Sequence, residues 1–254
     1  LCGKDRIHPS TDGHLVMAYL FLKAQGLAGK LVADIRIDGA GKKVTRSDNC
    51  RVSDLSVSSD NLTFTYEAKS LPYPIDTSYY DNEKHTQADA LSVIPFMDEM
   101  NYEGLSVSGL SDGYYGLTIG GEFIGRFTAR ELERGINMAL LQNTPQYKQA
   151  MKIRQMNEER WLKERKMREF YWVEYNLMRK TGMLWACDEA AVDTLRKYRP
   201  HDIFLQWNGD LWLQYMHKGI REDCVNEQQD LVDRIYEQNK PIPLQIEIKK
   251  FTDL

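Results

Sequence analysis

Asp5-Arg6-Ile7-His8-Pro9-Ser10-Thr11-Asp12-Gly13-His14-Leu15 stands near the head of the chain and reads as a charged loop opening straight into a helix. Ser10, Thr11 and Asp12 offer N-cap side chains, and Leu15, Val16, Tyr19, Leu20 and Leu22 follow before Gly26 stops the run. Met17, Ala18 and Phe21 fill the remaining positions, so the helix is apolar nearly all round and must be covered on several sides. Within the loop, the spacing of Asp5 and His8 lets a carboxylate and an imidazole converge. An imidazole that accepts a nucleophile's proton needs such a carboxylate, which holds its tautomer and stabilises its cation. Pro9 stiffens the loop just before the helix.

Downstream the hydrophobic period changes to two. Val32, Ile35 and Ile37 run to the turn Asp38-Gly39-Ala40-Gly41, Val52, Leu55 and Val57 precede Ser58-Ser59-Asp60-Asn61, and Leu62, Phe64 and Tyr66 then alternate with polar residues. This predicts a first antiparallel β unit. Leu71 to Gln87, with Pro72, Pro74 and Asp76, has no period and reads as a long surface loop. Leu105 to Phe127 predicts a second β unit, with Gly120-Gly121 as its hairpin turn, since glycine takes positive φ without steric cost.

Thr128 and Glu131 form a capping box for a short helix ended by Gly135. Pro145 then opens a helix reaching about Lys180, with a mixed-charge exterior and Gly182 as its stop. A helix around Glu189 to Tyr198, an irregular aromatic stretch from His201 to Tyr215, a helix around Glu227 to Asn239 and a short strand from Leu244 to Ile248 complete the chain.

The Asp5–Leu15 block, D-x-x-H-P followed by Gly13-His14 and an apolar helix, resembles the last conserved block of the GDSL/SGNH serine ester hydrolases. Leu105 to Leu110, Gly113 to Gly121, Phe127-Thr128, Glu131-Leu132, Gly135 to Ala139, Asn143-Thr144-Pro145 and Gln149-Ala150 resemble the C-terminal extension of a bacterial branch of that family. Gly120-Gly121 stands where that branch has an Asp-Gly turn. The resemblance implies that Asp5 and His8 are the acid and base of a catalytic triad. It implies hydrolysis of small acyl esters, an acylated glycan as substrate, and a secreted or periplasmic location. Neither the family's G-D-S nucleophile block nor its G-x-N-D block occurs in these residues. The expectation is a partial sequence with no nucleophile of its own, lacking an upstream hydrolase segment and inactive alone.

The expected fold class is α+β. Residues 1–30 are the edge of a flavodoxin-like α/β/α SGNH domain carrying its last helix, 31–135 an extension of two small antiparallel β units, and 136–254 a largely helical region. A competing reading is a non-catalytic carbohydrate-binding or structural accessory module. Ser106 and Ser108 superficially suggest a nucleophile elbow, but they alternate with Leu105 and Val107 as strand residues do.

The formal net charge of −4, with basic and acidic residues interleaved, leaves no sustained positive field for nucleic acid. No apolar run approaches the ~20 residues of a bilayer span. No cofactor is expected. Neither is a metal: His14 reads as a hydrogen-bonded structural residue, and His85, His201 and His217 have no partner at a ligand spacing. Cys2, Cys50, Cys187 and Cys224 read as free thiols, with a Cys187–Cys224 bridge as the alternative. Trp207, Trp212, Tyr215 and Trp185 read mainly as core, with a sugar-stacking surface as the alternative. Trp161 and Trp172 fall on roughly one helix face.

Overall fold

A computed structural model describes residues 1–3, 5–78 and 84–251, and part of the predicted Leu71–Gln87 loop lies outside them. The chain is α+β and divides into two compact units, Leu1–Lys152 with Asn239–Leu254, and Ile153–Gln238.

The first unit holds α1 (Thr11–Ala24), β1 (Ala33–Asp38), β2 (Lys43–Asp48), β3 (Cys50–Val57), β4 (Asn61–Ala68), α2 (Phe96–Glu99), β5 (Glu103–Ser108), β6 (Tyr114–Ile119), β7 (Glu122–Thr128), α3 (Ala129–Arg134) and β8 (Ile136–Asn137). It also takes the start of α4 (Pro145–Val173) and the final strand β9 (Leu244–Lys250). The strands make two sheets, ordered β2-β1-β5-β8 and β3-β4-β9-β6-β7.

This corrects the expectation of two separate antiparallel β units. The predicted units are shuffled together: β1 runs parallel to β5, and β9 sits between β4 and β6, antiparallel to both. Alternation places residues on faces, but partners are chosen by packing across long sequence separations. The inner faces share one core, in which Ile35, Leu105 and Val107 of one sheet and Phe64, Leu117 and Ile246 of the other are fully or almost fully buried. Each such side chain contributes roughly 1.5–3 kcal/mol on leaving water. The Gly120-Gly121 turn forms, with φ of 59° and 83°. Thr128 caps α3 reciprocally with Glu131, as predicted. Thr128→Ala should therefore cost about 1 kcal/mol, read as a lower urea midpoint at constant m.

One polar group lies deep in this core. Glu103, at the start of β5, is completely buried. Tyr66 on β4 donates its hydroxyl to Glu103 Oε1 at 2.8 Å, and Gln146 Nε2 on α4 lies 3.3 and 3.4 Å from the two carboxyl oxygens. Burial outweighs these bonds and pushes the Glu103 carboxyl up to about 7.

The second unit is helical: the remainder of α4, a π-helical turn at Glu174–Met178, α5 (Glu189–Tyr198), α6 (Ile203–Tyr215) and α7 (Lys218–Gln238). The stretch expected to be irregular is helix α6. Asp202 caps it by accepting from the Phe204 and Leu205 amides at 2.8 and 3.2 Å, and Leu205, Trp212 and Tyr215 bury one face. Its aromatics and Gly209 lack strong helix propensity, which tertiary burial overrides. Buried Glu174 accepts from Trp212 Nε1 at 2.8 Å and from the Trp185 amide at 2.9 Å, holding Trp185 at φ 66°. All four cysteines are free, Cys50 and Cys224 buried, Cys2 and Cys187 exposed, so the Cys187–Cys224 bridge is absent. No helix among the described residues is long and apolar enough to cross a membrane.

Candidate active site

The loop before α1 is a closed hairpin. Cys2 and Pro9 form an antiparallel bridge, the Gly3 amide donates to the His8 carbonyl at 2.8 Å, and the Arg6 amide donates to the Gly3 carbonyl at 3.0 Å. The tight reversal puts Arg6 at φ 59°, a conformation that a non-glycine residue adopts only at some cost.

Inside the reversal, Asp5 is fixed before it meets the histidine. Its Oδ1 accepts from the amides of Ile7 at 3.0 Å and His8 at 3.1 Å. Its Oδ2 lies 2.5 Å from His8 Nδ1. The hydrogen bond with His8, followed by the two backbone amides, lowers the Asp5 carboxyl to about 2. An ionised Asp5 is an acceptor only, so His8 Nδ1 carries the donated proton and the neutral ring keeps its lone pair on Nε2. The His8 side chain is 82% exposed, leaving that nitrogen open for a reacting group.

The hairpin is seated on α1 by buried groups whose role is hidden in the sequence pattern. Ser10 is the N-cap residue, yet its hydroxyl turns to the buried Asp12 carboxylate, which also accepts from the Gly13 amide at 2.8 Å. A Cβ on Gly13 would come within 2.0 Å of the Leu1 carbonyl oxygen, which itself accepts from the Ser10 amide at 3.1 Å. Glycine is therefore what lets the hairpin lie against the helix. His14 Nδ1 lies 3.1 Å from the Ser10 carbonyl, the structural contact expected of it.

Leu15 and Tyr19 of α1 pack with Ile75, Ile94, Phe96 and Met97. The opposite row is bare: Met17, Leu20 and Phe21 are 58%, 55% and 64% exposed. The helix expected to be covered on several sides is covered here on one. Ser106 and Ser108 lie half-buried on β5, where Ser108 Oγ donates to the Ile37 carbonyl at 3.4 Å. His85 faces Asp12 and Asp89 at 3.9 and 4.0 Å, and His201 lines a cleft of the helical unit.

The comparisons with known proteins bear on both units. Residues 151–240 match the family model described as the diltiazem deacetylase C-terminal helical domain, a span that nearly coincides with the second unit. No curated protein matches the chain. A solved structure of BT4096, a gut microbial diltiazem-metabolizing enzyme, matches with a TM-score of 0.92 and 41% sequence identity over 99% of this chain. The match takes up 57% of that solved chain, so these residues span a little over half of it. The chain thus shares its fold with part of a diltiazem-metabolizing enzyme.

Proposed function

We propose that the polypeptide carrying this chain is a serine-dependent carboxylic ester hydrolase of the GDSL/SGNH type, with His8 as base and Asp5 as its orienter. The observation that carries the reading is the Asp5–His8 contact at 2.5 Å with the far side of the imidazole open. In this mechanism a serine from outside these residues attacks the acyl carbonyl while His8 Nε2 takes its proton. Asp5 stabilises the imidazolium, and His8 returns the proton to the departing alkoxide. Water then releases the acid by the same relay. The deacetylase in the matched family description favours a small acyl group such as acetyl. An acylated glycan as the natural ester, and a secreted or periplasmic setting, belong to the same proposal.

The same reading makes α1 the last helix of a flavodoxin-like domain whose sheet lies outside these residues, and gives the bare row of Met17, Leu20 and Phe21 its cover. Met17→Ser with Phe21→Ser should then change the stability of the 254-residue chain by less than about 0.5 kcal/mol. In a polypeptide extended upstream it should cost roughly 1.5–3 kcal/mol per side chain. Equal effects in both would remove the helix from any such interface.

Turnover of p-nitrophenyl acetate tests the activity. The chain alone should show none above background, and a polypeptide extended upstream through a G-D-S block should hydrolyse it. An extended polypeptide without His8-dependent turnover would refute the proposal.

A further inference from the structure

The helical unit carries two adjoining clefts that the ester-hydrolysis reading does not use. The first, of about 320 Å³, lies between Trp161, Arg165, Arg168 and Trp172 on α4 and Asn208 on α6. The second, of about 350 Å³, also borders Trp172, together with Asn176, Lys180, Tyr198 and His201. Trp172 therefore walls both. Its ring is held from behind by Phe204 at 5.2 Å, which in turn meets Trp207 edge-on at 5.5 Å. Trp161 and Tyr198 leave 48% and 41% of their surface in solvent at the two outer ends.

The aliphatic lining, Leu177 and Leu205, is buried, and what faces outward is aromatic or planar and polar. Arg165 is oriented by Glu169 at 3.0 Å and Arg168 by Glu164 at 2.9 Å, and both guanidinium groups lie about 6 Å from the Trp161 ring centre. Flat rings flanked by fixed, fan-shaped donors suit a ligand with an apolar face and an equatorial belt of hydroxyls. Charge adds a sign. In the second cleft the Asp202 carboxylate sits at the α6 N-terminus, whose amides and dipole offset its charge, while among the described residues Lys180 has no ion-pair partner. A cation is thus left facing the cleft in a chain whose formal net charge is −4.

We propose that this surface binds a saccharide chain bearing acidic groups, its rings stacked along Trp161 and Trp172 and a carboxylate or sulfate further along the chain met by Lys180. The inference is independent of the triad, because binding can be measured without turnover.

Calorimetric titration of the intact chain with a galacturonate hexasaccharide, and with neutral cellohexaose of equal length, tests it. The acidic oligosaccharide should bind and quench tryptophan fluorescence. Trp161→Ala should weaken it about tenfold, the loss expected when a ring anchoring a ligand is removed. Lys180→Gln should erase the preference over cellohexaose. Both side chains are exposed, so folding is preserved, and unchanged circular dichroism checks this. No binding of either glycan, equal binding of both by the unmodified chain, or titrations untouched by both substitutions would each overturn the proposal.

Discussion

If the proposed ester hydrolysis holds, replacing His8 by alanine in the extended polypeptide is expected to lower kcat by about 10⁴-fold or more, with little change in KM. Removing the base of a triad leaves only the catalysis due to substrate binding and the oxyanion hole. Asp5→Asn should come close to this, with a loss of about 10⁴-fold, for a different reason. An amide at this position can donate to His8 Nδ1, which then becomes the acceptor and places the ring proton on Nε2, the nitrogen that has to be free. Because the Asp5 and His8 side chains are 48% and 82% exposed, neither substitution should move the unfolding midpoint. That separates a chemical effect from a folding effect. Turnover of p-nitrophenyl acetate within tenfold of the unsubstituted enzyme for both variants would show that the pair is not catalytic. The low Asp5 carboxyl, held at about 2 chiefly by its hydrogen bond with His8, adds a pH signature. Asp5 stays ionised down to about pH 2, so an acid limb of the rate profile above pH 3 has to come from another group.

The second large effect concerns stability and has the opposite pH sign from an ordinary carboxylate. Glu103 sits at about 7 in the folded protein, against 4.5 for the ordinary side chain, because it is completely buried. Between those values the folded state keeps a proton that the unfolded chain has released. Stability from this group is therefore fully present below about pH 4.5 and is lost as pH rises through about 7. The shift corresponds to about 3 kcal/mol at full burial. Urea denaturation at pH 4.5, 6 and 7.5 should show this loss, and Glu103→Gln, permanently neutral and of similar shape, should lack it. A stability difference between the two proteins that stays constant across this range would mean that Glu103 is not held neutral. Burial alone holds that proton, since Tyr66 and Gln146 both donate to the carboxyl and favour its ionised form. Burial keeps the Tyr66 hydroxyl protonated as a donor, and Gln146 Oε1 is buried without a hydrogen-bond partner among the described residues.

Much of this was legible locally. The capping box at Thr128, the Gly120-Gly121 turn, Pro145 at the start of α4 and the Asp5–His8 spacing all rest on groups a few residues apart, where backbone sterics and short-range hydrogen bonds decide the outcome. Pairing was not legible. Nothing in the alternation of Ile35 and Ile37 states that β1 will lie parallel to β5. Lys43 to Asp48 escaped notice as a strand because β2 is an edge strand with almost no apolar face, and only its ladder with β1 makes it visible. Glu103 reads in sequence as an ordinary charged residue, since burial is a property of what packs around it. The tryptophans divided against a single expectation, Trp212 fully buried and Trp207 66% exposed, because helix α6 turns them to opposite sides.

The position of β9 has a consequence for how the molecule is made. This strand is the middle of its sheet, yet it is made after β3, β4, β6 and β7 and after the whole helical unit. Until then β4 and β6 each carry an unpaired edge in the nascent chain, which is the exposure that invites association with other chains. The helical unit, with most of its contacts local, can settle first, while the sheet closes only once β9 has emerged. A chain interrupted before β9 would thus lack the middle of a sheet whose other strands were all made long before.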